Sequence, residues 1–296
     1  MKVLLLGKNG QVGWELQRSL SCIGELVALD RKSAQFCGDL TDFAGLTKTL
    51  RDVRPDVIVN AAAYTAVDNA EIDVQQAHIV NALAPQFLAQ HAEQSGTLLV
   101  HYSTDYVFDG SGSNAWLESD ATGPLSVYGK TKLEGEQRIQ ASGSNHLIFR
   151  TSWVYGSQGS NFVKTMLRLG RERQQLTVIN DQFGAPTGAD FLADATTHCI
   201  RKCLEYPSLS GLYHLAATGV TTWFDYANYV FAQVQDAKPT LKLAVNEVTA
   251  VSSSAYKTAA TRPLNSRLNT NLFESQFDLV SPPWQRGIDR LLSEIL

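Results

Sequence analysis

The chain opens on four consecutive apolar residues, Val3-Leu4-Leu5-Leu6, which stop at Gly7 and Lys8. A run of that length reads as a buried strand and is too short for the core of a signal peptide. An amphipathic stretch from Gln11 to Leu20 follows and reads as a helix, and the alternation then repeats. Glu25 to Leu29, Val57-Ile58-Val59, Thr97 to Tyr102 and His146 to Phe149 read as strands. Thr41 to Val53, Glu71 to Ala92 and Val127 to Gln140 read as helices, with Pro85 restarting or kinking the one that begins at Glu71. Strands that are apolar throughout are covered on both faces. Their alternation with helices predicts an α/β fold, a parallel, doubly wound sheet of Rossmann type with right-handed crossovers.

Beyond residue 150 the periodicity loosens. Helices are expected over Asn161 to Arg173, Ala189 to Glu205, Trp223 to Gln235 and Trp284 to Leu296, between loops that carry Pro186, Pro207, Pro239, Pro263 and Pro282-Pro283. Neither a flexible linker nor an internal repeat interrupts the chain. Residues 151–296 are therefore expected to pack on residues 1–150 and close a cleft with them, with room to return strands or helices to the first region.

Composition narrows the function. The 296 residues are 44% hydrophobic and 18% charged, which suits a globular chain of one large domain or two small ones. A net charge of −4 with no basic block argues against nucleic acid or an anionic membrane surface as partner. No apolar run approaches the ~18 residues that span a bilayer. The cysteines at 22, 37, 199 and 203 form no C-x-x-C pair. Cys199 and Cys203, one helical turn apart beside His198, are expected to pack in a helix and not to hold a metal. A reduced, cytoplasmic protein fits this usage.

The first strand runs directly into Gly7-Lys8-Asn9-Gly10-Gln11-Val12-Gly13, spaced G-x-x-G-x-x-G. Glycines permit a tight turn, close approach of backbone amides to a pyrophosphate, and packing of helix on strand. The helix amino terminus adds unpaired N–H groups and a positive dipole end. The second strand ends in Asp30, an acid placed about 20 residues on to bind adenosine ribose hydroxyls. Its carboxylate favours NAD, whereas Arg31 and Lys32 could attract a 2′-phosphate, so NADH and NADPH both remain open. Asp39, followed by Leu40, is a candidate adenine-edge contact, with a helix cap as its plain alternative. Ala61, Ala62 and Ala63 end the third strand in side chains small enough to leave room for a nucleotide.

The fourth strand ends in Tyr102-Ser103-Thr104-Asp105, and Tyr128 and Lys132 lie four apart at the start of the next helix, so they share a face. A phenol of pKa about 10 is a poor proton shuttle at neutral pH. A neighbouring ammonium and an oxidised nicotinamide would favour the phenolate, at roughly 3–4 kcal/mol for two to three pH units. Thr104 supplies a hydroxyl that can hold a substrate oxygen.

These motifs, together with PDVIVNAAA (55–63), Val67-Asp68, HYSTDYVF (101–108), FRTSWVY (149–155), NDQFGAPTG (180–188), GLYHL (211–215) and RPLNSRL (262–268), identify the chain as similar to the extended short-chain dehydrogenase/reductases. Within them it resembles the dTDP-4-dehydrorhamnose reductase family. The resemblance implies reduction of the C4 keto group of dTDP-4-dehydro-β-L-rhamnose to dTDP-L-rhamnose by NADH or NADPH, with residues 151–296 mainly binding the nucleotide sugar. It implies that Tyr128 donates the proton, that Lys132 tunes Tyr128 and holds the nicotinamide ribose, and that Thr104 orients the carbonyl. Asp105 and Trp153 correspond to sugar contacts. Tyr102 and residues Ala63, Tyr64 and Thr65 correspond to cofactor contacts, with Tyr64 standing where many relatives have His. For some members the resemblance implies a Mg²⁺-bridged homodimer. Its carboxylates would here be Glu15, Asp190 and Glu294, with Asp190 in place of the family's longer Glu. Two rival readings share the fold: another nucleotide-sugar reductase or epimerase, and a non-catalytic regulatory subunit like the methionine adenosyltransferase β subunit.

Overall fold

The computed structural model describes residues 1–238 and 240–296, so Pro239 lies outside the described residues. The amino-terminal half alternates as its hydrophobic pattern demands: β1 (Lys2–Leu6), α1 (Gln11–Leu20), β2 (Glu25–Leu29), α2 (Phe43–Val53), β3 (Val57–Asn60), α3 (Ala84–Ser95), β4 (Leu98–Thr104), α4 (Val127–Ala141) and β5 (His146–Thr151). Two later elements join the same layers, α5 (Ala189–Glu205) and β6 (Gly211–His214). Six strands pair in the order β6-β5-β4-β3-β1-β2, all parallel. The order reverses direction between β1 and β3, and a parallel sheet opens a ligand crevice beyond the carboxyl ends of its strands at such a point.

Alternation along each strand feeds two cores. Val3, Leu5, Val57, Val59, Leu98 and Val100 face α1 and α5, packed with Leu16, Leu192 and Ile200. Leu4, Leu6, Ile58 and Leu99 face the other way, onto Leu46 and Leu50 of α2, Leu88 of α3 and Ile139 of α4. A third cluster, built on Tyr155, Val163, Tyr226, Trp284 and Ile288, forms the carboxy-terminal body. Within it Gln175–Ile179 pairs in parallel with Glu247–Val251. The sheet thus takes its sixth strand, and the helix over α1, from beyond residue 150.

The expected helix over 71–92 is broken into Val74–His78, a π turn at Ile79–Leu83, and α3. Pro85 has no N–H and its ring crowds the preceding turn. The backbone yields by one residue, and the Ala84 N–H reaches back to the Ile79 carbonyl. The turn presents buried Asn81 to the loop after β3: its Oδ1 accepts from Tyr64 N at 2.9 Å and its Nδ2 donates to Tyr64 O at 3.1 Å. The helix expected from Thr41 starts at Phe43, because Asp42 caps it by accepting from Gly45 N at 2.8 Å. Among the described residues no helix is long and apolar enough to cross a membrane.

Candidate active site

Gly7 leaves β1 with φ +92°, and a Cβ there would lie 2.7 Å from Ala62 N. At Gly13 a Cβ would lie 2.0 Å from Gly7 O, so only glycines let α1 start this close to β1 and β3. Gly10 is the N-cap of α1 and provides no side-chain cap. The first N–H groups of the helix therefore face outward with the positive end of its dipole. They open on a cleft of about 600 Å³ whose lining includes Gly7, Gly10, Asp30, Arg31, Asp39, Leu40, Ala62, Ala63 and Tyr64. Size, glycine floor and exposed helix terminus fit a dinucleotide with its pyrophosphate at α1.

The remaining residues expected at the cofactor sit differently. Val12 and Ala61 pack against the core beneath the cleft, Thr65 is exposed, and the Gln11 side chain turns to Asn161 and the Val154 carbonyl, at 3.1 and 3.3 Å. The Tyr102 phenol points away, into the α5 side of the sheet, where it bonds Thr196 Oγ1 at 2.6 Å. A cofactor contact by Tyr102 would therefore run through its backbone, whose carbonyl faces Lys132. Asp30 Oδ1 accepts from Lys32 N at 3.0 Å and Ser33 Oγ at 2.9 Å, and its other oxygen accepts from Asn9 Nδ2. Those bonds hold the carboxyl below its ordinary range, the Ser33 bond most of all. Asp39 folds its carboxylate onto Thr41 N at 2.9 Å, leaving the helix cap to Asp42.

One strand along from β3, the end of β4 meets the start of α4. Ser126 caps α4 by accepting from Gly129 N, and Gly129 is needed because a Cβ would lie 2.3 Å from Tyr106 O. The close approach places half-buried Tyr128 against Thr104, whose hydroxyl hydrogen-bonds the phenol, with the Tyr106 ring edge-on at 5.6 Å. Burial pushes the Tyr128 phenol up to about 12, against the Thr104 bond that lowers it; the Asp105 charge adds to the rise. The expected acidification, by an ammonium and an oxidised nicotinamide together, finds no lowering from Lys132 alone. Its amine turns under β4, to Tyr102 O at 2.6 Å and His101 Nε2 at 3.0 Å. Burial lowers Lys132 to about 8, opposed by the Glu136 charge. Glu136 is itself held by Arg150 of β5 in a buried two-point pair, Nη2–Oε2 2.6 Å and Nε–Oε1 3.0 Å.

Asp105 is 2% exposed. Thr104 Oγ1 donates to its Oδ1 at 3.1 Å, while its Oδ2 has no partner. Burial raises this carboxyl to about 7, although Ser266 and Thr104 bond it. Arg262, from the carboxy-terminal half, clamps Asp68 through Nη2–Oδ2 at 2.6 Å and Nη1–Oδ1 at 3.2 Å, so the two halves are pinned beside the site. This pair joins two of the recognised motifs, but nothing in either one announced the contact. Trp153 has φ +49° and stacks on Trp223 at 3.8 Å. One ring face expected to receive the hexose is therefore covered.

Glu15, Asp190 and Glu294 do line one small hollow, but Arg290 occupies it, 3.2 Å from Asp190 and 3.1 Å from Glu294. Glu15 pairs with Arg18 at 3.5 Å. Among the described residues no group of three His, Cys, Asp or Glu side chains could hold a metal ion. Within one chain the Arg290 guanidinium already pairs with two of the three carboxylates expected to bridge a Mg²⁺ between protomers.

Comparison with known proteins gives the same direction along the entire chain. Residues 1–296 match the family described as RmlD substrate binding domain. A dTDP-4-dehydrorhamnose reductase of Salmonella typhimurium is 57% identical over 100% of this chain and 98% of its own, and that of Escherichia coli K12 is 55% identical over the same shares. The structure of a dTDP-4-dehydrorhamnose reductase from Bacillus anthracis in complex with NADP superimposes with a TM-score of 0.88 at 34% identity, covering 99% of each chain. More distant neighbours of this fold include a dTDP-glucose 4,6-dehydratase with NAD bound, at 21% identity and a TM-score of 0.78. The chain belongs to the RmlD family of dTDP-4-dehydrorhamnose reductases.

Proposed function

We propose that the protein reduces the C4 keto group of dTDP-4-dehydro-β-L-rhamnose to dTDP-L-rhamnose, the last step in making that nucleotide sugar. The observation that carries this reading is the close approach of the start of α4, which bears Tyr128, to the carboxyl end of β4, which bears Thr104, one strand from a glycine-floored cleft of dinucleotide size. When bound, NADH or NADPH supplies the hydride that adds to C4. The chain's own task is to bind, orient and protonate. The helix terminus at Gly10 would receive the pyrophosphate, and the small residues Ala62 and Ala63 leave room for the dinucleotide. Thr104 Oγ1 and the Tyr128 hydroxyl converge on the carbonyl oxygen. As that oxygen gains charge, the Tyr128 proton passes to it, giving the alcohol and a phenolate. A phenol held near 12 is fully protonated at neutral pH, the state a reductase needs at the start of a turnover. An alkoxide is a stronger base than even this phenolate, so the transfer runs downhill. Lys132 would hold the nicotinamide ribose, and through it the phenolate, once its amine leaves the Tyr102 carbonyl. The free Oδ2 of Asp105 is offered to a sugar hydroxyl. All four cysteines are free, and we place the protein in the reducing cytoplasm.

The test is loss of NAD(P)H absorbance on adding dTDP-4-dehydrorhamnose, with UDP- and GDP-linked keto sugars as controls. Turnover with the dTDP sugar alone supports the reading; turnover confined to another nucleotide sugar overturns it.

A further inference from the structure

Behind Lys132 lies a buried histidine that the reaction as described leaves unused. His101 and Asn60 are each 1% exposed, as is Lys132. The three form a chain across the sheet: Asn60 Nδ2 is 3.2 Å from His101 Nδ1, and His101 Nε2 is 3.0 Å from Lys132 Nζ. At its far end, Asn60 Oδ1 accepts from the Ala62 N–H at 3.2 Å. That last bond fixes the rest. The Ala62 amide is only a donor, so it holds the Asn60 oxygen and leaves the Asn60 NH₂ facing His101. His101 Nδ1 must then accept, and a neutral imidazole with an accepting Nδ1 carries its proton on Nε2, pointing at Lys132. Burial keeps this imidazole neutral. An ammonium, which has donors only, cannot meet an N–H donor. The amine can: it accepts from His101 and still donates to the Tyr102 carbonyl at 2.6 Å.

We propose that His101 is a positioning residue acting through Lys132: its Nε2–H, oriented by Asn60 and the Ala62 peptide, opposes protonation of the lysine, so that the amine and the ammonium compete at this site. Uptake of a proton by Lys132 then forces the imidazole to carry its proton on Nδ1 and the Asn60 amide to turn, at the cost of the Ala62 bond. Ala62 lines the cofactor cleft, so the charge on the lysine is coupled to the peptide under the cofactor. The inference rests on the assignment of Lys132 to this site, but its test does not need catalysis. Of the charged and titratable groups around the pair, Glu136 comes from α4 and acts on Lys132, Glu136 is paired with Arg150 of β5, and His101 and Tyr102, whose carbonyl takes the Lys132 bond, come from β4.

Nitrogen-15 spectra of the imidazoles in the native protein read the tautomer directly, with His101→Gln identifying the signals. The proposal expects the Nε2–H form above the Lys132 midpoint and the Nδ1–H form as the lysine gains its proton. An Nδ1–H form throughout overturns it. Carbon-13 titration of the Lys132 Cε, assigned with Lys132→Arg, is the second readout. In His101→Gln the amide oxygen can accept from the ammonium, so the lysine midpoint should move up from about 8 by about one pH unit, a tenfold change in proton affinity. An unchanged midpoint in a folded variant means that His101 only fills space, and overturns the proposal. If the variant does not fold, the tautomer of the native protein still decides.

Discussion

The buried carboxyl of Asp105 makes the site a cost to stability at neutral pH, and that cost can be measured. Its Oδ2 has no partner, and the hydroxyls of Thr104 and Ser266 do not offset the loss of hydration, so burial lifts it from 3.8 to about 7. The folded state therefore keeps the proton after the unfolded state has lost it. Folding takes up a proton in the window between those two values, and stability falls as pH rises through it. At 1.36 kcal/mol per pH unit the loss is up to about 4 kcal/mol once the pH exceeds both values. Asp105→Asn keeps the shape and removes the charge. Urea unfolding followed by tryptophan fluorescence should find the variant close to the native protein near about pH 4 and more stable by up to about 4 kcal/mol near about pH 8. The same variant should turn over substrate more slowly, since it alters the group offered to the sugar. A difference in stability between the two proteins that is constant across this pH range refutes the argument.

Two other substitutions probe the cofactor cleft. Gly13→Ala drives a methyl to 2.0 Å from Gly7 O, backbone against backbone. It should cost about 3 kcal/mol in urea unfolding and weaken dinucleotide binding, and an unchanged midpoint would contradict this packing. Asp30→Ala removes a carboxylate that would repel a 2′-phosphate while keeping Arg31 at the cleft. It should raise the NADPH-to-NADH ratio of kcat/KM about tenfold, the effect of about 1.4 kcal/mol of relieved repulsion; an unchanged ratio would show that the ribose is held elsewhere.

Residues differ in how visibly they announced themselves. The ends of α1 and α5 are readable because amphipathic periodicity runs up to a glycine at each N-cap, Gly10 and Gly188. The pairing of Tyr128 with Thr104 is readable because each sits at a fixed place in its element, one at a strand's end and the other in a helix's first turn. The π turn before Pro85 is not, since its cause is local but its shape depends on what Asn81 must reach across the fold. Nor is β6, whose four residues carry no alternation and become a strand only when β5 offers an edge. His101 looks like any buried strand residue until the sheet brings Asn60 beside it and α4 brings Lys132 over it. The upward Tyr128 shift is not legible either, since closeness of Lys132 in sequence does not bring its charge to the phenol: the lysine amine bends beneath the strand. Glu294 and Arg290, four apart on Trp284–Ile295, have the spacing of an ion pair, and within the chain they form it.

The central claim is that the Tyr128 hydroxyl gives its proton to a sugar ketone. The direct measurement is single-turnover reduction of dTDP-4-dehydrorhamnose by Tyr128→Phe beside the native protein, with NADPH affinity determined calorimetrically for both. The account predicts a rate lower by about 10²–10⁴-fold with the NADPH affinity retained. A Phe variant that reduces the sugar at the native rate would contradict it.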